Sequence, residues 1–115
     1  MSIQSLEQFQ TTFANKPVEV VLEQFGTDAI FYLKPLVSVD RDNFEASVVG
    51  VDGKRNLLNL RARLLALCLC DKEGKALGSA KQIGALRADL VGALFNEVRR
   101  HNGMDADDVE EAGNA

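Results

Sequence analysis

The stretch NLLNLRARLLALCLC, residues 56–70, is the most apolar part of the chain and decides its fold class. Its leucines recur at helical spacing in two stripes, one of Leu57, Leu60, Leu64 and Leu67 and the other of Leu58, Leu65 and Leu69. A helix that is apolar nearly all round must be covered on most of its sides. We therefore predict a central helix over 56–70 that the other elements wrap. The alternative is that one side of this helix is a subunit contact.

A second long helix is predicted beyond the polar turn at 71–75. Ser79 and Gln82 have capping-box spacing, in which each side chain accepts a bond from the other residue's backbone. We expect this helix to run without interruption over 80–101 and to end at the Asn-Gly pair 102–103. Its inner face would consist of apolar residues three and four apart: Ile83, Leu86, Leu90, Leu94 and Val98.

A shorter helix is predicted before the central one. Asp40 can cap its start, and Gly50 is a suitable residue to end it. Phe44 and Val48 are four residues apart and would face inward together.

The pattern changes to extended structure over 18–34. The runs at 18–22 and 29–34 are rich in β-branched and aromatic residues, and Gly26 lies in the turn predicted at 26–28. The two runs predict an antiparallel hairpin. Pro35 predicts that the end of the second strand lies at a sheet edge, because proline has no N–H to donate.

The first helix is predicted near the N-terminus. Ser5 and Gln8 form a second capping-box pattern, and Pro17 ends the element. Phe9 and Phe13 fall on one face. The simplest interpretation is that this face packs on the body of the protein; the alternative is that it docks into a partner's groove.

The length of 115 residues, of which 46% are hydrophobic, predicts one domain with a real core. The predicted fold class is α+β: a helix-rich single domain of about four helices over 1–103, with an N-terminal antiparallel β-hairpin. Residues 104–115 are expected to form a flexible, disordered acidic tail. The tail explains the net charge of -4, because five acids and no bases lie in 105–111. The remaining 13 bases and 12 acids give the body a net charge of +1.

No catalytic, cofactor or metal site is predicted. His101 is the single histidine and stands at a helix end, where it complements the helix dipole. Cys68 and Cys70 are too few for zinc, and we expect them to be small core residues. The longest apolar run, residues 64–70, is far too short for a membrane span, and residues 1–10 lack a signal-peptide pattern. We therefore expect neither an enzyme nor a membrane partner.

A short basic segment accompanies the central helix, with Lys54, Arg55, Arg61 and Arg63. Nucleic-acid binding usually adds interleaved aromatics or a recognition-helix pattern, and the segment has neither. A solvated helix face is the favoured interpretation. The alternative function is a small phage or bacterial regulator that acts on nucleic acid or on a nucleic-acid-binding protein.

The order of these elements resembles the tail assembly chaperones of long, non-contractile-tailed bacteriophages. The likeness includes the extended pair with a glycine turn at 18–36 and the helix start Asp-Arg-Asp-Asn-Phe-Glu at 40–45. A Leu/Ala-rich helix then leads into the Asp-Lys-Glu-Gly turn at 71–74. The Asn-Gly helix end at 102–103 and the acidic ending Asp-Val-Glu-Glu-Ala at 108–112 complete it.

The resemblance implies a non-catalytic role. Such proteins coat the tape measure protein in the host cell cytoplasm during tail assembly, and they are absent from the mature virion. They help to bring tail tube protein to it, chiefly through a longer form made by translational frameshift. Self-association is common among them.

The residues themselves suggest where such an interface would lie. A small chain with this much apolar sequence has apolar surface to spare, and such surface marks interaction sites. We predict that the partner or self interface includes residues of the first helix and of the second leucine stripe: Phe9, Phe13, Leu58, Leu65 and Leu69.

Overall fold

The computed structural model describes residues 1–26, 28–50 and 54–104. In chain order its elements are α1 (Leu6–Thr12), β1 (Val18–Val21), a 3-10 turn (Glu23–Phe25), β2 (Ile30–Leu33), α2 (Ser38–Val49), α3 (Leu60–Cys68), β3 (Leu69–Cys70), α4 (Ala80–Gly84) and α5 (Ala88–His101). Within these ranges the predicted helix-rich α+β fold with an N-terminal hairpin is confirmed. The predicted acidic tail, apart from Met104, and Thr27 of the predicted turn lie outside the described residues.

The sheet has the order β1-β2-β3, and both pairs of strands are antiparallel. The predicted hairpin forms with Val18 opposite Leu33. The prediction that β2 ends at a sheet edge is wrong, because Leu69 pairs with Leu33 on its other side. Pro35 lies beyond the strand, so its missing N–H removes no ladder bond, and Lys34 N still donates to Cys68 O at 2.9 Å.

The central helix is shorter than predicted. It begins at Leu60, after Asn59 in a left-handed conformation (φ 54°), and it ends at Cys68. Leu69 and Cys70 are extended and form β3, which pairs with Tyr32 and Leu33 of β2. Long-range strand pairing therefore replaces the last predicted turn of helix.

The predicted C-terminal helix is two helices. The capping box at its start is confirmed: Ser79 Oγ accepts from Gln82 N at 3.2 Å, and Gln82 Oε1 accepts from Ser79 N at 2.9 Å. The helix then breaks after Gly84, and α5 begins at Ala88. Leu86 lies in the break and is 45% exposed, so it leaves the predicted inner face.

The N-cap of α2 lies three residues before the predicted one. It is Val37, and the capping role predicted for Asp40 is wrong because Asp40 already lies within the first turn. Phe44 and Val48 are buried as predicted, and Gly50 ends the helix with φ 81°. This helix packs on α3.

The first helix forms as predicted but does not pack on the body. Ser5 Oγ accepts from Gln8 N at 3.1 Å, while Gln8 Oε1 accepts from Gln4 N rather than from Ser5 N. No residue of α1 is buried. The favoured interpretation of this helix as a packed element is therefore wrong, because Leu6, Phe9 and Phe13 all stay more than half exposed.

The core lies between the inner face of the sheet and helices α2 to α5. Leu64, Val48 and Val98 are fully buried there. Met104 is also buried, at 4% exposure, so the packed body extends one residue beyond the predicted boundary at 103. The core thus uses nearly every element except α1.

Candidate apolar binding cleft

The predicted interface residues divide into two groups. Phe9, Phe13 and Leu58 are exposed, at 52%, 68% and 82% respectively. Leu65 is fully buried and Leu69 is 7% exposed, so their assignment to an exposed helix face is wrong. The reason is that α3 is covered by α2, α4 and α5, and that Leu69 belongs to β3 rather than to the helix.

An open cleft of about 250 Å³ lies between the inner sheet face and α5. Every residue that lines it is Leu, Phe or Ala. They are Leu22, Phe25, Ala29, Phe31, Leu69, Leu77, Leu86, Leu90 and Leu94. Such a lining can bind apolar side chains and excludes ligands that need polar partners.

The sheet and the 3-10 turn form one wall of the cleft. Phe31 precedes Leu33 by two residues on β2, and Leu69 of β3 pairs with Leu33, so all three side chains lie on the inner face of the sheet. Leu69 forms part of the floor of the cleft. Phe25 is the last residue of the 3-10 turn, and Gly26 ends that turn in a left-handed conformation (φ 66°) that favours glycine. The turn therefore places an aromatic ring at the mouth.

The opposite wall comes from α5 and from the break before it. Leu90 and Leu94 are one helical turn apart on α5 and face the cavity. Leu77 and Leu86 stand at its rim, 57% and 45% exposed. Exposure of leucines at a concave site leaves apolar area that a bound side chain would remove from water.

The charge at the rim is balanced. The Arg87 guanidinium lies 5.8 Å from the centre of the Phe25 ring, and it bonds to Asp89 at 2.5 Å. Hydrogen bonding from Arg87 lowers the pKa of the Asp89 carboxyl. The charges of Arg87 and Asp89 therefore balance each other at the mouth of the cleft.

A second groove of about 420 Å³ also has Leu86 in its lining. Its lining is more polar and includes Asn59 and Arg61 among leucines and alanines. The Arg61 guanidinium lies 5.8 Å from the Phe95 ring centre. Because both cavities share Leu86, a long helix could contact the two in succession.

Two arginines of the basic segment contact other parts of the fold. Arg63 donates to the Asn56 carbonyl and to Ser47 Oγ, and Arg61 lies against Phe95. Both side chains are therefore engaged within the fold.

The ionisable groups that the structure describes lie outside the core, apart from the two cysteine thiols. Among residues 1–26, 28–50 and 54–104, no polar or charged side chain is buried, and no group of three His, Cys, Asp or Glu could hold a metal. His101 pairs with Glu97 at 3.6 Å at the end of α5. Burial raises the pKa of the Cys68 thiol to about 12, and it raises that of Cys70. Both free thiols are therefore protonated at neutral pH and are poor nucleophiles.

Sequence patterns did not identify the cleft, because its lining comes from four separate segments. The available signals were single apolar residues within polar or turn segments, namely Phe25 before Gly26 and Leu77 between Lys75 and Gly78. Each is unremarkable alone.

None of the helices that the structure describes has the length and hydrophobicity that a membrane span requires.

Comparison of the chain with protein-family models, with curated proteins and with solved structures finds no match in any of the three.

Proposed function

We propose that the protein is a non-catalytic chaperone of bacteriophage tail assembly that binds the tape measure protein in the host cell cytoplasm. The observation that carries the proposal is the open cleft of about 250 Å³, whose lining is wholly apolar. The resemblance in element order supplies the client. A long helical client exposes apolar stripes that aggregate unless another protein covers them.

The cleft suits one stripe of an amphipathic helix. Helix-in-groove recognition uses apolar anchors three and four residues apart. Leu77 and Leu86 at the rim would contact the flanks of such anchors, and Phe25 would contact the face of an aromatic one. Many copies along one client would coat it, and tail tube protein would be brought in chiefly by the longer, frameshifted form. On this proposal the protein leaves before the virion is complete.

The test is co-expression with the tape measure protein of the same phage, with the soluble fraction of that protein as the measurement. We expect the wild-type chain to keep the client in solution. Leu77→Glu places a charge at the rim and should abolish this effect. Ile30→Glu is the matched control, because Ile30 is equally exposed, at 55%, on the opposite face of the sheet from Phe31.

Two results would contradict the proposal: a client that is equally soluble without the chain, or equal rescue by Leu77→Glu and by wild type. The regulator of nucleic acid has less support, since Arg61 and Arg63 already have partners within the fold. A gel shift at low salt that disappears at high salt would favour that alternative.

A further inference from the structure

Two arginines meet at one aromatic ring on the side of α5. The Arg61 guanidinium lies 5.8 Å from the centre of the Phe95 ring, and the Arg99 guanidinium lies 5.2 Å from the same centre. Arg99 follows Phe95 by one helical turn on α5, and Arg61 comes from α3, which packs on α5. The two helices therefore bring two positive charges together, and we call Arg61 and Arg99 the arginine pair.

Neither member of the arginine pair has an acidic partner among the residues that the structure describes. The ion pairs there involve other cations, namely Arg41, Arg87, Arg100 and His101. Arg99 donates to the uncharged Asn96 Oδ1, and its Nε is buried without an acceptor in that part of the chain. A cation–π contact uses the charge of a guanidinium rather than its N–H groups, so Arg61 can still donate to a carboxylate. An anion would also relieve the repulsion between the two like charges.

The acidic segment of the chain, residues 105–111, begins beside the arginine pair. Met104 N donates to Arg99 O at 2.8 Å, and the Met104 side chain is buried at 4% exposure. Residues 105–111 follow directly and have five acids and no bases. The buried methionine therefore fixes the root of the acidic segment next to one member of the pair.

The acidic segment is long enough to reach both arginines. Arg99 and Phe95 are four residues apart, which is about 6 Å along the axis of α5. An extended chain covers about 3.3 Å per residue, so the four residues 105–108 span about 13 Å. That span covers the helical turn and the 5.8 Å from the ring centre to Arg61. Asp107 and Asp108 can therefore meet the arginine pair.

The other cations near the root are less suitable partners. Arg100 and His101 both pair with the Glu97 carboxylate. An acidic segment that turned toward them would bring its carboxylates against that of Glu97, and like charges repel each other. The arginine pair brings no described acid with it, so charge complementarity favours it as the destination.

We propose that the acidic segment 105–111 folds back along α5 and binds the arginine pair of its own chain. The carboxylates of Asp107 and Asp108 accept hydrogen bonds from Arg61 and Arg99. The short connection through Met104 gives the segment a high effective concentration at this site, so a free anion must displace it. This docking is independent of the proposed function, because the lining of the apolar cleft includes none of Arg61, Phe95 and Arg99.

A nitroxide spin label on the acidic segment tests the contact by NMR. Val109→Cys provides the attachment site in the full chain, while Cys68 and Cys70 stay unlabelled because they are buried. At low salt we expect the label to broaden the amide signals of Arg61, Phe95 and their neighbours on that face. A label that broadens no signal around Phe95 would overturn the proposal.

Two charge variants show whether the arginine pair is responsible. Arg61→Gln should reduce the broadening roughly threefold, the effect of losing one exposed ion pair. Arg87→Gln is the matched control and should leave the broadening unchanged: Arg87 also lies 5.8 Å from an aromatic ring centre, but it already has Asp89 as a partner. Both side chains are exposed, so the body should stay folded, and the amide spectrum verifies this. Equal losses in the two variants would overturn the proposal, because net charge alone would then explain them.

Salt distinguishes charge pairing from an apolar contact of the label. At 1 M salt the screening length is about 3 Å, so the broadening around Phe95 should disappear. Broadening that persists at 1 M salt would overturn the proposal, because the label itself would then hold the segment in place.

A mixed sample distinguishes the chain's own acidic segment from that of a second copy. Spin-labelled chain without isotope is mixed with isotope-labelled chain without spin label, so only contacts between copies broaden the signals. We expect the signals around Phe95 to stay sharp. Broadening as strong as in the singly prepared chain would overturn the proposal by showing that the segment of a second copy occupies the site.

Discussion

The side chain of Asn59 occupies the space where a β-carbon on Gly84 would lie, with Asn59 Oδ1 only 2.5 Å from that position. Asn59 Nδ2 donates to Ala80 O at 2.9 Å, so one side chain connects the start of α3 to both ends of α4. Asn59 also has φ 54°, a left-handed conformation that asparagine tolerates better than most residues. This contact stands at the corner where the C-terminal helical segment divides.

Gly84→Ala should therefore destabilise the protein, while Gly92→Ala should stabilise it. Both glycines are helical, and alanine gains up to about 1 kcal/mol of helix propensity at an unhindered position such as Gly92, where nothing lies within 4 Å. At Gly84 the new methyl displaces the Asn59 amide and its bond to Ala80, so we expect a net loss of about 1 kcal/mol. Urea unfolding of both variants measures the difference.

The Asn59→Gly change provides the control for that pair. It removes the obstructing side chain and keeps the left-handed backbone, so Gly84→Ala should cost less in the Asn59→Gly background than alone. Equal costs in the two backgrounds would show that the contact does not limit substitution at Gly84.

Two serine caps with the same chemistry should differ in their effect on stability. Ser79 caps α4, which packs on α3, and Ser79→Ala should cost about 1 kcal/mol of global stability. Ser5 caps α1, whose unfolding exposes no core, so Ser5→Ala should leave the urea midpoint unchanged and only lower the helix signal. A shifted midpoint for Ser5→Ala at a concentration where the chain is monomeric would mean that α1 is coupled to the body.

Leu58 and Leu65 belong to the same predicted leucine stripe but should contribute very differently to stability. Leu65 is fully buried, so Leu65→Ala should destabilise the fold by about 2–5 kcal/mol through the cavity that it leaves. Leu58 is 82% exposed, and Leu58→Ala should change stability by less than about 0.5 kcal/mol. Thermal unfolding compares the two, and similar losses would contradict the assignment of Leu65 to the core.

Stability should fall in alkaline solution because of Cys68. Burial raises its pKa from 9.0 to about 12, so the folded state holds the thiol proton more tightly than the unfolded state. Below pH 9 the Cys68 thiol is protonated in both the folded and the unfolded state, so its contribution to stability is fully present. From pH 9 toward 12 the unfolded chain loses the proton first, and stability decreases by up to about 1.4 kcal/mol per pH unit.

The measurement is urea unfolding between pH 7.5 and about 10.5 under reducing conditions, since Cys68 should dominate this shift. The Cys68→Ala chain is the control: it is less stable throughout, but its stability should decrease less steeply above pH 9. Parallel curves for the two chains would contradict the assignment, because other groups would then account for the whole slope.

Local signals predicted much of the fold. The Ser79–Gln82 capping box and the Asn-Gly end of α5 mark their helices because the groups that satisfy the free backbone bonds lie within a few residues. The hairpin followed from β-branched runs around Gly26. These features depend on nearby residues, and the sequence displays them side by side.

The features that could not be predicted depend on distant contacts. Leu69 continues the helical leucine stripe, yet β2, some 36 residues earlier in the chain, draws it into a strand. The apolar spacing from Ile83 to Val98 continues unbroken across the division between α4 and α5, and the Asn59 contact at Gly84 is invisible in that pattern. The cleft was missed for the same reason, because its walls meet only after folding.

The direct passage from α3 into β3, with Cys68 and Leu69 adjacent, has a consequence for how the gene can vary. A single inserted codon at this point would turn the helix by about 100° relative to the strand, or would reverse the two faces of the strand. Either change would misplace buried side chains on one side of the junction, since no loop exists to absorb the extra residue. We therefore expect descendants of this gene to differ in length between α1 and β1, where residues 14–16 are exposed, and to keep the 68–69 boundary free of insertions and deletions.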